Sequence, residues 1–245
     1  GKKLLVDLSE NSDVEENEAL LRNKHLIVSM NELKGNESLL DMALLLSDPK
    51  VINPISVVSV YPDNENAERM IKKSRKSLED IVKHYSGHEA KLNPIATIDH
   101  NVSSGIARVS KELVADIVLV NDSQSTNLIK RIVGDDRDHL LSTCDKTIFF
   151  CSLDKPSVEY ERIVLVAPLI AELEPSFILW AERILRLGKE LNVPVALFGS
   201  SSTAERLEKV ANANNIDTDL RLTELINLEA FYASYQRRQS ECRKK

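Results

Sequence analysis

Residues 117–153, IVLVNDSQSTNLIKRIVGDDRDHLLSTCDKTIFFCSL, decide the fold. Ile117 to Val120 is a continuously apolar run, Asn121 to Asn127 is a polar turn, a helical segment then reaches Gly134, and Thr147 to Leu153 is a second apolar run. Strand, turn, helix and strand in that order make one βαβ unit of a parallel sheet. A glycine-rich turn at such a place cradles phosphate with backbone N–H groups. Here glycine stands only at the far end, at Gly134.

The same alternation extends upstream. Short β-rich runs at 25–30, 55–61 and 93–98 separate longer segments of helical period at 37–48, 66–86 and 102–115, followed by 117–121, a helix over 127–142 and a strand over 147–153. Met70, Ser74, Leu78, Ile81 and Tyr85 form one helical stripe, and Val102, Ile106, Val109 and Leu113 form another. Ile55 to Val60 and Ile117 to Val120 are almost continuously apolar, as strands covered on both faces must be. The series predicts an α/β fold with a parallel sheet and helices on both faces.

After Asp154-Lys155-Pro156-Ser157 the pattern restarts. A strand over 162–167, a helix over 175–191 with Phe177, Ile178, Ala181, Ile184 and Leu185 inward, and a strand over 195–198 repeat the opening of the first half. Leu26 and Ile163 are 137 positions apart, and Pro54-Ile55 and Pro194-Val195 are 140 apart, so a near-constant offset points to tandem duplication. A helix over 203–213, a strand near 218–222 and an amphipathic helix marked by Leu228, Phe231, Tyr232 and Tyr235 follow, and the second copy stops short of its last two strands. The organisation expected is an acidic leader over 1–24, a first unit over 25–154 and an incomplete second unit over 161–245.

Composition removes several functional classes. A net charge of −6 opposes nucleic-acid binding, which needs clustered cations. The basic residues of 237–245 read as a solvated terminus. Cys144, Cys151 and Cys242 have neither metal-ligand nor disulfide-framework spacing, which fits the reducing cytoplasm. No apolar run approaches the roughly 20 residues of a membrane helix, and the N-terminus is too acidic for a signal peptide.

Residues 25–153, and more weakly 162–224, resemble the universal stress protein superfamily. There a five-stranded parallel sheet binds ATP through a G-x2-G-x9-G-[ST] loop after the fourth strand. The matching positions here are Asn121, Gln124, Gly134 and Asp135, and Asn31 stands where ATP-binding members carry an acidic residue at the end of the first strand. Asn121 and Gln124 bring side chains where backbone must approach phosphate. Asp135 and Asp136 add carboxylates, and like charges at about 4 Å repel by roughly 1–4 kcal/mol. The resemblance thus implies a degenerate nucleotide loop, with an adenine nucleotide or a cyclic dinucleotide as the remaining candidate ligand. It also implies a sheet order of 3-2-1-4-5, with strand 147–153 at the outer edge and in contact with either the second unit or another chain; because the second unit lacks its own matching strand, a homodimer is expected.

A narrower likeness rests on Ile98-Asp99-His100-Asn101-Val102-Ser103-Ser104-Gly105-Ile106, on Leu26-Ile27-Val28 leading to Asn31, and on the second degenerate unit. These resemble the cytoplasmic C-terminal region of bacterial monovalent cation/proton antiporters, and imply a membrane domain of the same antiporter as partner.

Asp99, His100 and Asn101 fall at the C-terminal end of the third strand, where parallel sheets bind ligands. Asn101 or Ser103 capping the next helix explains them without a ligand and is the preferred reading. A histidine here is also placed to respond to pH. Ser103 and Ser104 beside His100 and Asp99 lack the geometry of a nucleophilic triad. His84 and His88 have neither the glutamate nor the third ligand of a zinc site. Gly199 to Thr203 reads as an anion-binding turn or a helix cap, with the cap preferred, and Cys144 and Cys151 read as core residues. The expectation is a non-enzymatic cytoplasmic module that regulates an antiporter; the alternative is a free-standing cytoplasmic stress protein binding ATP or AMP.

Overall fold

The structure, a computed structural model, describes residues 25–30, 35–47, 54–85, 87, 91–121, 130–153 and 155–224, with the side chains of 130–136 outside that description. Strands β1 (Leu26–Ser29), β2 (Ile55–Pro62), β3 (Leu92–Asp99), β4 (Ile117–Asn121) and β5 (Thr147–Cys151) alternate with helices α1 (Glu37–Leu46), α2 (Ala67–His84), α3 (Val102–Glu112) and α4 (Lys130–Thr143). All pairs are parallel and the order is β3-β2-β1-β4-β5, as expected from the resemblance.

The apolar runs set this order. Ile27, Val28, Val57, Val58, Val118 and Leu119 have no accessible surface, so β1, β2 and β4 are covered on both faces. Ile27, Val58, Val60 and Val118 join Ile106 and Val109 of α3 and Leu140 of α4 in one cluster. Both predicted helical stripes turn inward: Ser74, Leu78 and Ile81 are buried on α2 and Tyr85 just past its end, and Ile106 and Val109 on α3. Tyr85 Oη donates to Asp41 Oδ1 at 3.0 Å and so ties α2 to α1. Burial and the facing carboxylate push the Tyr85 hydroxyl up to about 12.

The two edges of this sheet are built differently. Lys91 and Asp99 turn their carbonyls to β2, accepting from Ile55 and Asp63 N–H at 2.8 Å. By alternation, the backbone groups of Leu92, Pro94, Ala96 and Ile98 face outward. Pro94 therefore puts its missing N–H on the free side, and Arg108 Nη2 covers the outward carbonyl of Ile98 at 3.4 Å. β5 bonds to β4 through Thr147 N–H on Asp116 O at 3.2 Å, which leaves the backbone of Ile148 and Phe150 facing outward in a strand without proline. Strand β5 ends at Cys151, two residues before the sequence expectation.

A second unit, Val158–Lys245, has its own three-stranded parallel sheet. Strands β6 (Ile163–Val166), β7 (Val195–Gly199) and β8 (Leu220–Glu224) run in the order β6-β7-β8, with α5 (Phe177–Leu191) and α6 (Ser201–Ala213) between them. Register pairs Val164 with Ala196, as Ile27 pairs with Ser56 at the equivalent positions of the first unit. Phe177, Ala181, Leu185, Leu197 and Leu207 form the core of this unit. Helix α6 begins at Ser201, two residues earlier than its periodicity indicated, because Ser200 caps it. Short 3-10 turns at Ser157–Glu159 and Ala171–Leu173 were not foreseen. Among the described residues no helix is long and apolar enough to cross a membrane.

Candidate functional site

Strands β3 and β4 of the larger sheet end on polar residues, Asp99 and Asn121, so their C-terminal edge gathers chemistry-bearing side chains. Of the candidates, Asp99, His100 and Asn101 close β3, and Asn121 closes β4. Gly134, with Asp135 and Asp136, lies inside α4, beginning four residues after its first residue, Lys130. Asn31 and Gln124 lie outside the described residues.

Asp99 is held by α3. Its Oδ2 accepts from Arg108 Nε at 2.8 Å, and its Oδ1 accepts from the backbone N–H of His100 at 2.7 Å. The Arg108 guanidinium, followed by the His100 amide, holds the carboxyl below the usual carboxylate range. Arg108 also donates to Thr97 Oγ1 at 2.9 Å and to Glu112 Oε1 at 2.8 Å, so its fork is spread over β3 and α3. Asn101 adopts extended backbone (φ −148°, ψ 171°) and its Oδ1 accepts from Ser104 N–H at 2.8 Å. That is the helix cap weighed in the sequence, worth about 1 kcal/mol. His100 is exposed.

Close packing brings α3 onto the strand ends. A Cβ on Gly105 would lie 2.4 Å from Val60 Cγ1 and 3.0 Å from Asp99 Cβ, so only a bare Cα fits between helix and sheet. Across the edge, Asn121 Nδ2 donates to Asn36 Oδ1 at 2.8 Å. Asn36 precedes α1 but makes no side-chain cap bond to it, giving its oxygen to β4 instead. Met30 is fixed by Ser59 Oγ, which donates to its carbonyl at 2.6 Å.

The structure thus joins Asp99, His100 and Asn101 in one turn and ties Asn121 to α1. Sequence reading missed Arg108, Thr97 and Asn36. Arg108 carried one usable signal, its i,i+4 spacing to Glu112 on a helix that starts beside Asp99. What the described part of this edge does chemically is bind itself: a carboxylate already has its guanidinium and two amide side chains already have partners. Three cavities of about 350, 450 and 270 Å³ are lined elsewhere, at Arg75, Leu78 and Pro94 and at the 188–194 and 208–220 segments of the second unit.

The turn at Gly199 to Thr203 is a helix cap. Ser200 Oγ accepts from Thr203 N–H at 3.1 Å, and Thr203 Oγ1 donates to Glu172 Oε2 at 2.7 Å, so a carboxylate of the chain itself sits at the start of α6. Among the described residues no group of three His, Cys, Asp or Glu side chains is arranged for a metal; His88 and Cys242 fall outside them. Cys144 is buried with its Sγ 3.7 Å from Ser110 Oγ. Burial pushes the half-buried Cys151 thiol up to about 11.

At the opposite end of the sheet, His25 is a buried tie that the sequence did not single out. Its Nδ1 lies 2.9 Å from Leu113 O, a group that only accepts, so Nδ1 carries the proton. Its Nε2 lies 2.9 Å from Ser56 Oγ, and its backbone N–H donates to Asp116 Oδ2 at 2.8 Å. In the second unit, Glu182, Arg183 and Arg186 are buried on α5, with Arg186 Nη2 2.7 Å from Glu182 Oε1. The apolar stripe of α5 gave no sign of this charged face.

No protein-family model and no curated protein matches the sequence. Solved structures match it in fold. The cytoplasmic domain of a prokaryotic cation chloride cotransporter superposes with a TM-score of 0.55, at 12% identity, over 84% of this chain and 79% of its own. The universal stress protein of Archaeoglobus fulgidus aligns over 52% of this chain and 97% of its own, at 15% identity and a TM-score of 0.43. A universal stress protein in complex with cAMP aligns over 53% and 97%, at 8% identity and a TM-score of 0.37.

Proposed function

We propose that the chain is a non-enzymatic cytoplasmic module of a cation/proton antiporter, built from two stress-protein-like units and used for regulation and assembly. The observation that carries this reading is the self-satisfied strand-end edge, where Asp99 is paired with Arg108 and Asn121 with Asn36. An edge that spends its polar groups on its own helices favours contact over chemistry. The likeness in fold to a transporter's cytoplasmic domain, over more of the chain than either unit alone, supports the transporter context.

On this reading the membrane domain of the same antiporter is the partner, and β5 supplies a homodimer contact through its outer edge. Binding of an adenine nucleotide or a cyclic dinucleotide is weak and regulatory. The alternative, a free-standing stress protein that binds ATP or AMP, predicts the opposite affinity. Calorimetric titration with ATP and magnesium, AMP and a cyclic dinucleotide separates the two. Tight, magnesium-dependent ATP binding overturns the first reading; so does a reading frame that begins immediately before Gly1 with no upstream hydrophobic region.

A further inference from the structure

Strand β6 has the sequence of a central strand and the position of an edge. Ile163-Val164-Leu165-Val166 is wholly apolar, like the Leu26-Ile27-Val28 run of β1, yet among the described residues only β7 pairs with it. Ile163 and Ala167 donate their N–H groups to Pro194 O and Phe198 O at 2.9 and 3.0 Å. By alternation, the N–H and C=O groups of Val164 and Val166 point away from the sheet. Nothing in the strand guards them: no proline, no charge and no bulge, where β3 has Pro94 and Arg108.

The surroundings of this edge are apolar as well. Of the eight exposed large hydrophobic side chains among the described residues, five fall between 158 and 173: Val158, Val164, Leu169, Ile170 and Leu173, at 83, 40, 61, 65 and 74% exposure. The group after the strand is held in place deliberately. Ile170 has a left-handed backbone (φ 62°), a conformation that a β-branched residue adopts only under constraint. The next turn is pinned by Glu172 on Thr203. That bond holds the Glu172 carboxylate at the start of α6.

We propose that the β6 edge pairs antiparallel with β6 of a second copy of this chain about a two-fold axis through Leu165. The pattern is self-complementary in this arrangement. Val164 of one copy and Val166 of the other then exchange both N–H···O bonds, twice over, and Pro168 ends the ladder where it lacks an N–H. The antiparallel sense also sets the segment before the strand, with Val158, against the segment after it in the second copy, with Leu169, Ile170 and Leu173. Apolar residues at the two ends of one edge thus meet each other, as an isologous contact requires. This contact is separate from the one assigned to β5 and stands without it.

Two measurements test it. Sedimentation velocity over a concentration series compares the unaltered chain with Val164→Pro, which removes only an outward N–H, and with Val164→Lys, which places a charge on the edge without touching the bonds to β7. Both variants are expected to weaken one association step at least about tenfold, since each copy loses ladder bonds. A Val164→Cys/Val166→Cys variant should form a disulfide-linked dimer on mild oxidation, because facing residues of a hydrogen-bonded antiparallel pair lie about 5.5 Å apart at Cα, within disulfide reach. The unaltered chain, with its native cysteines, should not. Association unchanged by both substitutions at Val164, no cross-link in the double cysteine variant, or slow amide exchange at Val164 and Val166 in the monomer would each overturn the proposal.

Discussion

Arg108 Nε lies 2.8 Å from Asp99 Oδ2, so the carboxylate that ends β3 is neutralised by the helix that follows it. The folded carboxyl titrates below its unfolded value of about 3.9. A depressed acid stabilises the fold above the unfolded pKa, and that contribution is lost as pH falls from about 4 through the folded value. Asp99→Asn should therefore flatten the acid limb of the stability profile below about pH 4. Because Arg108 is 41% exposed, the difference at neutral pH should stay within about 1 kcal/mol. Chemical denaturation at pH 3 and pH 7 checks both statements.

Gly105→Ala sets two effects against each other. Alanine gains about 1 kcal/mol in helix propensity. Its Cβ would meet Val60 Cγ1 at 2.4 Å, an overlap that costs about 1–3 kcal/mol in packed sites. Net destabilisation is expected, and Val60→Ala in the same chain should recover part of it. Additive losses in the double-mutant cycle would show that the two sites do not meet.

His25→Leu should destabilise the first unit by roughly 2–4 kcal/mol, since it strands the buried Ser56 hydroxyl and the Leu113 carbonyl without partners. His25→Gln, which can reach one of them, should lose less. Urea midpoints that place Leu and Gln at the same stability would deny the ring this role.

Asn121→Ala removes one bond to Asn36 and should cost about 1 kcal/mol. It also vacates a position where the resemblance expects glycine. If the self-satisfied edge is what disfavours nucleotide, this variant binds ATP more tightly than the unaltered chain in calorimetry, and equal affinity for both would set that argument aside.

Cys151 should react slowly with thiol reagents at pH 8, where a thiol pushed up to about 11 is almost wholly protonated. Fast labelling of Cys151, assigned by mass spectrometry, would contradict this.

The strands and helices were legible because burial imposes periodicity: Ile55 to Val60 and Ile117 to Val120 had to be covered on both faces, and Leu78 and Ile81 had to face a sheet. The cap at Asn101 was legible too, since its chemistry is local. Asp99 with Arg108, and Asn121 with Asn36, were not, because each joins elements through side chains nine and 85 positions apart whose meeting depends on register. The charged face of α5 was hidden for the reverse reason: Glu182, Arg183 and Arg186 read as solvent-facing in a helical period, and their burial is tertiary. His25 looked like the first residue of a strand, and only the meeting of β1 with β2 and the end of α3 makes it a tie.

Pro94 on the free side of β3, with Arg108 over the carbonyl of Ile98, gives the larger sheet one finished margin. A sixth strand brought by an insertion, gene fusion or exchanged segment would meet a more continuous ladder beyond β5 than beyond β3, where Pro94 offers no N–H.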